Sequence, residues 1–531
     1  MSTSNDPVGR EIRVGAAALL AASVVLADLP AAASVAPANQ AGAARELRGV
    51  WIAAADEDFF RSRESIAEGL EFLARHHFNV VFPDVWYRGV TLHPSALLER
   101  TFGVRQDPRY AGRDPLAEVL VEAHRRGIEV IPWFEYGFAA SNAAQPTPLL
   151  DLKPEWAARD RDGRVATKQA FAWMNAFDPA VQEFVAGLVL EVARGYDVDG
   201  VQGDDRLPAL PSTAGYDELT AGLWRKERRL APPLPGDPRW IEWRAGRLTD
   251  FLARLARDVR GSGDGVLYSA SPSPWRSGLD EYLQDSKTWL ERGLVDLFHP
   301  QCYRRDFESY QRLADEQRAL IPRHSRTVYA PGILIESGSW RIAPAELVKL
   351  VEHGRERGFD GEVLFHFAGL RADDGRLARA LLAGPYAERA RQPHRAGTWR
   401  PVAPESEPRA AGGAQGFVRE RGHLRATAPG AAEVHYSLAA RTAGWYALHV
   451  EFPAGVELPA RVACAASADV EPVERIVPRP GLVQVAHVRL GARAPTSLSL
   501  STAADEARPL VAGRAVLILD RKRSPGALWR D

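Results

Sequence analysis

Between residues 48 and 370 short apolar runs alternate with longer stretches whose apolar residues recur at helical spacing, the pattern that sets parallel strands between covering helices. Eight such runs occur: RGVWIAA at 48, VVFPDVW at 80, EVIPWFEYGF at 129, VDGVQGDD at 198, VLYSASPS at 266, DLFHPQCY at 296, TVYAPGIL at 327 and EVLFHFAGL at 362. The stretches between them carry helix punctuation. Asp114 and Pro115 open one as cap and first-turn proline, Leu116, Val119, Leu120 and Ala123 form its apolar stripe, and Gly127 ends it. Asp178 and Pro179 open another in the same way, with Val181, Val185, Leu188 and Val192 on one face and Gly195 at its close. Eight strand-helix units predict an α/β fold, a (β/α)8 TIM barrel over residues 46–385; an open doubly wound sheet would carry a glycine-rich first turn, which is missing. The third and fourth strands are followed by insertions at roughly 139–177 and 206–239, on the side where such a barrel places its site. Long loops there imply a large, grooved substrate.

Residues 386–415 turn to Pro, Arg, Ala, Gly and Glu without periodicity and read as a linker. Beyond it Tyr446, Leu448, Val450 and Phe452 alternate with Trp445, Ala447, His449 and Glu451, and the same two-residue period returns at Leu498 and Leu500 and at Val516 and Ile518. A small antiparallel β-sandwich over 416–524 is expected, acting as an accessory domain. At the other end Arg10 and Arg13 precede an apolar run and a small-residue stretch, so residues 1–36 read as a signal peptide and the protein as periplasmic or secreted. No integral membrane segment is expected once that leader is removed.

Composition narrows the partners. The 67 basic and 68 acidic residues nearly cancel, which gives no electrostatic case for nucleic acid. The two cysteines, Cys302 and Cys464, are too few for a disulfide framework or a thiolate metal site. No metal-protease, nucleophile-elbow or phosphate-loop motif occurs, and the first strand lacks the paired histidines of a metal-dependent amidohydrolase. Neither metal nor cofactor is therefore expected.

Strand side chains alternate between the barrel interior and the helix layer, so parity sorts the polar residues. Asp84 shares a face with Trp86, Glu135 with Trp133, and Asp204 with Gln202 and Arg206, while Asp205 has the opposite parity. His299, Gln301 and Tyr303 share one face of the sixth strand. Carboxylates at the C-terminal ends of strands make a polar mouth; each one alone could equally be a structural ion pair. Aromatic residues crowd the same ends, and sugars offer apolar faces to rings and hydroxyls to carboxylates, so the combination points to a polysaccharide. Trp86 and Trp275, each beside a turn, are the favoured platforms. What remains is the paired-carboxylate acid and base chemistry that breaks glycosidic bonds.

At RGVWIAAADEDFF, HHFNVVFPDVWYRG, DPLAEVLVEAHRRGIEVIPWFEYGF, YDVDGVQGDDRLPALP, SPSPWRSGLDEYLQDSKTWLERGLVDLFHPQCY and GEVLFHFAGL the sequence resembles the glycosyl-hydrolase-like ten family of bacterial proteins, over most of residues 46–385. The resemblance implies a barrel, an exported location and hydrolysis of envelope glycans, with peptide-free peptidoglycan strands suggested for part of the family. The family's D-G-[IV]-x-x-D-D block falls on Asp199, Gly200, Val201, Gln202, Gly203, Asp204 and Asp205, and makes the paired aspartates the expected catalytic positions. Gln202, Gly203 and Arg206 stand where relatives often carry His, Phe and Tyr. Asp204 is then the expected proton donor or its immediate partner, with Glu135 as the second carboxylate and Glu336, just past the seventh strand, as its competitor. The alternative is a silent polysaccharide-binding protein that keeps the aromatic groove without the acid-base pair. Sugar, linkage and stereochemical course stay open at this level.

Overall fold

Each of the eight apolar runs forms a parallel strand in the computed structural model, which describes residues 44–395 and all but a few short stretches of 403–520. The strands are β1 (Leu47–Ile52), β2 (Val80–Pro83), β3 (Glu129–Val130 and Trp133–Phe134), β4 (Gly200–Gly203), β5 (Leu267–Ala270), β6 (Leu297–Phe298), β7 (Val328–Tyr329 and Gly332–Leu334) and β8 (Gly361–Phe365). Two five-stranded parallel sheets hold them, in the orders β7-β8-β1-β2-β3 and β7-β6-β5-β4-β3. Both sheets thus end on a piece of β3 and a piece of β7. The breaks fall at Pro132 and Pro331, which have no N–H to give to a ladder. Their carbonyls still accept, from the Gln202 amide at 2.8 Å and the Val363 amide at 3.1 Å.

Helices follow every strand: α1 (Arg63–Arg75), α2 (Pro115–Arg125), α3 (Pro179–Gly195), α4 (Pro238–Arg260), α5 (Ser286–Glu291), α6 (Phe307–Arg318), α7 (Pro344–Glu356) and α8 (Phe367–Ala383). The two caps read from the sequence are made: Asp114 accepts from the Ala117 amide at 3.0 Å and Asp178 from the Ala180 amide at 2.8 Å. Parity divides the apolar side chains into two cores. Val50, Ile52, Val81 and Val130 join the large core under the helices. Leu47, Trp51, Phe82, Ile131, Trp133, Leu297, Val328 and Val363, from the alternate positions, form a separate cluster.

Part of the stretch 386–415, expected as linker, is structured. At the N-terminal ends of the strands Glu129 is buried and accepts from Arg395 Nε at 2.6 Å, while a His394 ring nitrogen lies 2.7 Å from its other oxygen. A buried carboxylate needs such partners, so these residues are fixed to the strands above them. Glu405–Ser406 and Arg409–Ala410 are short strands, which the lack of periodicity in two-residue pieces concealed. From there the chain is antiparallel. Gly444–Phe452 pairs with Gly481–Leu490 and Ala515–Leu519, and Glu433–Ala439 with Pro495–Thr502. Tyr446, Leu448, Val450 and Phe452 are buried in a core of their own, as their alternation predicts. The other face is not all polar: Ala403, Leu482, Val516 and Ile518 cluster with Val121 of α2, so Ala515–Leu519 is covered on both sides. No helix among the described residues is long and apolar enough to cross a membrane. The expected signal segment lies outside the described residues.

Candidate active site

The side chains that continue the second cluster past the strand ends are charged. Asp84 follows β2, Glu135 follows β3 and Asp204 follows β4, on neighbouring strands and with the same parity as Phe82, Trp133 and Gln202. Arg206 draws two of them together: its Nη2 donates to Asp204 Oδ2 at 2.9 Å and to Glu135 Oε1 at 3.1 Å, and its Nε donates to the Glu135 carbonyl at 2.8 Å. Its Nη1 lies 3.2 Å from Asp205 Oδ1, and its guanidinium covers the Phe171 ring. Gly137 makes this approach possible. With φ near +48°, it abuts the Arg206 carbonyl so closely that a Cβ there would lie 2.2 Å from that oxygen.

Exposure separates the carboxylates. The Glu135 side chain is 25% exposed and that of Asp205 15%, whereas Asp204 is 1% exposed beneath Arg206. Asp204 Oδ1 accepts from Gln301 Nε2 at 2.8 Å, so both of its oxygens are engaged. Burial, and then the charge of Asp205, push the Asp204 carboxyl well above the usual carboxylate range, against the pull of Arg206. Asp84 is fully buried, its Oδ2 without a hydrogen-bond donor among the described residues, and burial followed by the Glu135 charge raises it in the same way. Two carboxyls whose pKa values burial raises stand beside two that are partly open to solvent, the kind of division acid-base chemistry uses.

The remaining expected residues divide by environment. Gln202 is buried; its Oε1 accepts from Trp51 Nε1 at 2.7 Å and its Nε2 donates to Ser269 at 2.8 Å, so it ties strands together. His299 is buried, shares 2.8 Å with the Ala330 carbonyl through Nδ1, and is pushed down to about 3 by burial. Tyr303 is half-buried and packs on Phe365. Trp86 and Trp133 are core rather than platforms. Trp86 is fully buried, donates to the Gly137 carbonyl at 3.1 Å and meets the Phe184 ring, because the hairpin after β2 folds it inward; Trp133 packs on Trp51 and Phe365. Trp275, at the start of a short helix after β5, is partly exposed, with its Nε1 on Asp285. Glu336 is paired with a different arginine, accepting from Arg341 Nε at 2.8 Å. The substitution at Gly203 has a steric cause, since a Cβ there would meet the Leu207 carbonyl at 2.3 Å and the Tyr268 hydroxyl at 2.5 Å.

One histidine–carboxylate pair had no signal in the sequence. His366, past β8, lies with Nδ1 2.9 Å from Asp56, past β1. Asp56 also accepts from the amides of Ala53 and Ala368. Burial opposes a charge on His366, but the Asp56 hydrogen bond, its charge and those of Glu336 and Glu135 outweigh it, so the imidazole titrates above its ordinary value. Among the described residues no group of three or more His, Cys, Asp or Glu side chains is placed to hold a metal ion.

Residues 46–334, more than half of the chain, match the model of the family described as glycosyl hydrolase-like 10, and the chain belongs to that family. Among curated relatives it is similar to the glycosyl hydrolase DigH of Escherichia coli (strain K12), with 25% identity over 316 residues that cover 52% of this chain and 69% of DigH. The glycosyl hydrolase YngK of Bacillus subtilis (strain 168) is 23% identical over 295 residues, 49% of this chain and 54% of YngK. Among solved structures the PgaB (BpsB) glycoside hydrolase domain of Bordetella bronchiseptica covers 63% of this chain and 98% of its own length, at 13% identity and a TM-score of 0.49.

Proposed function

We propose that this chain is an exported glycoside hydrolase that cleaves a bacterial envelope polysaccharide, with peptide-free peptidoglycan strands as the first substrate to try. The two parallel sheets are read as one closed (β/α)8 barrel: each carries a piece of β3 and a piece of β7, and β8 pairs with β1. The antiparallel C-terminal segment is then an accessory domain, and residues 1–36 a cleaved leader. One observation carries the catalytic reading, namely the carboxylates gathered by Arg206 at the C-terminal ends of β3 and β4, where barrel enzymes keep their chemistry. Asp204, whose pKa burial and Asp205 raise, gives a proton to the leaving oxygen; Glu135, partly exposed and ion-paired, serves the anomeric carbon. The two oxygens share one Arg206 nitrogen, at 2.9 and 3.1 Å, so they lie closer together than the roughly 6.5–9.5 Å of an inverting pair. That favours a retaining course with Glu135 as nucleophile.

A second reading, a silent glycan-binding protein, draws on the cover that Arg206 places over Asp204. Incubation with peptide-free peptidoglycan strands, deacetylated glucosamine polymers and plant glycans, followed by mass analysis, separates the two. The enzyme reading expects new reducing ends from one of them and none from Asp204→Asn. Binding without cleavage by the wild-type protein leaves the second reading standing.

A further inference from the structure

The insertion after β4 exposes apolar surface that the site does not use. Of the large hydrophobic residues exposed among the described ones, Leu219, Leu230 and Leu234 all belong to it, at 39%, 57% and 58% exposure. Leu230 and Leu234 sit on the 229–236 loop, directly after the helix Glu218–Arg228. The loop is held from below. Trp224 Nε1 donates to the Ala231 carbonyl at 3.1 Å, the Tyr216 hydroxyl to the Pro233 carbonyl at 2.6 Å, and Arg244 Nη2 to the Pro235 carbonyl at 3.2 Å. Beneath these donors Trp240 and Trp243 stack at 5.1 Å, and Trp224 meets both edge-on. Three clamped carbonyls on an aromatic base fix the loop, so the two leucines are presented outward at a standing hydration cost instead of folding onto the apolar rings nearby.

The unpaired charges at the end of this helix have one sign. Lys226, Arg228 and Arg229 are exposed and form no ion pair among the described residues; Arg228 lies over the Trp224 ring. The carboxylates of the same helix are occupied, Glu218 by Arg225 and Glu227 by Arg247 and the Trp243 indole. Aliphatic side chains beside unpaired cations, with the aromatic rings buried, suit lipid rather than sugar, since a sugar face asks for an exposed ring. We propose that the end of this helix and the 229–236 loop dock on an anionic lipid surface, with Leu230 and Leu234 entering the headgroup boundary and Lys226, Arg228 and Arg229 on lipid phosphates. The contact is peripheral and salt-sensitive, and it is independent of catalysis.

Co-sedimentation of the full chain with vesicles tests this. The protein is expected to pellet with phosphatidylcholine vesicles that contain phosphatidylglycerol, to stay in solution with phosphatidylcholine alone, and to be released by salt. Leu230→Ser with Leu234→Ser should weaken partition about tenfold or more. Lys226→Gln, Arg228→Gln and Arg229→Gln should each cost roughly fivefold at low salt. All five positions are exposed, so the variants should keep the wild-type circular dichroism and melting temperature. Three results overturn the proposal: no binding to the anionic vesicles at low salt, binding by the variants equal to wild type, or lipid-free self-association that the leucine changes abolish, which would assign the face to a second copy.

Discussion

Arg206 Nη2 rests 2.9 Å from Asp204 Oδ2, the one cation among the described residues in contact with a carboxylate that is almost wholly shielded from water. Because the same guanidinium also reaches Glu135 and Asp205, its removal would leave several negative charges crowded without compensation. Breaking such a pair on one side costs about 3–5 kcal/mol. Arg206→Ala should therefore lower the unfolding free energy by about 3 kcal/mol, and Arg206→Lys, which loses the fork geometry but keeps the charge, by less. A denaturant midpoint for Arg206→Ala equal to wild type would mean that the cluster relieves its repulsion by protonation alone.

The charge of Asp205 is, after burial, the next cause that raises the Asp204 pKa. Asp205→Asn removes that repulsion, so the Asp204 pKa falls while its contacts with Arg206 and Gln301 remain. If Asp204 is the acid, activity declines as pH rises through its folded-state pKa. The alkaline limb of kcat/KM should then move to lower pH in Asp205→Asn. A limb that stays put assigns the titration to another group, with His366 the next to examine.

Much of this geometry was legible in the sequence because parity is local. Asp84, Glu135 and Asp204 were sorted onto one face by counting from Phe82, Trp133 and Gln202, and the Asp-Pro helix starts at 114 and 178 are made as read. What failed depended on contacts between distant segments. Trp86 read as a platform because it sits beside a turn, but the hairpin that follows returns it to the core against Phe184. Gln202 sorts by parity with the strand-end residues, but the Trp51 indole, from β1, takes its carbonyl. His366 and Asp56 are 310 residues apart and meet only because β8 pairs with β1. No spacing rule could have joined them.

Glu135 and Glu336 now differ in a way that predicts their variants. Glu135 shares Arg206 with Asp204, whereas Glu336 is tied to Arg341 on its own hairpin. Glu135→Gln should reduce turnover by at least about a hundredfold, as loss of a catalytic carboxylate does, and Glu336→Gln by much less. Proton NMR of the first-formed sugar should show the substrate's anomeric configuration retained. Inversion, or loss of activity only in Glu336→Gln, removes Glu135 from the nucleophile role.

Far from the mouth, Glu362 gives a pH dependence of stability. Burial, then the neighbouring Glu46, raise its pKa from 4.5 to about 8, and the Tyr386 hydroxyl donates to it. Between those two values the folded state binds more protons than the unfolded one, so this group's contribution to stability is present at low pH and is lost as pH rises through about 8. Glu362→Gln keeps an acceptor for Tyr386 and cannot ionise. It should stabilise the protein by at least about 1 kcal/mol at pH 8 relative to pH 5, by urea denaturation at both. An identical wild-type and variant difference at the two pH values would show that Arg48 and Arg355 already keep Glu362 ionised.

Where the chain can be cut is set by Arg395. Its guanidinium donates to buried Glu129 at 2.6 Å, to the Asp199 carbonyl at 3.0 Å and to the Gly265 carbonyl at 2.7 Å, which joins the N-terminal ends of three strands. A chain ending at 390 loses this and His394 and leaves Glu129 buried without a cation, which should cost about 3 kcal/mol or more. A chain ending near 400 keeps both residues and gives up the contacts of the antiparallel segment: Glu405 with Arg125, the Leu482 carbonyl with Arg63, and the apolar cover on Val121. If that segment only positions the enzyme on its polymer, the longer truncation should be folded by circular dichroism, hydrolyse short soluble oligosaccharides at a rate near wild type, and lose affinity for the insoluble polymer. A folded but inactive protein would mean that the segment acts on the strand-end site through α1 and α2, which Arg63 and Arg125 anchor.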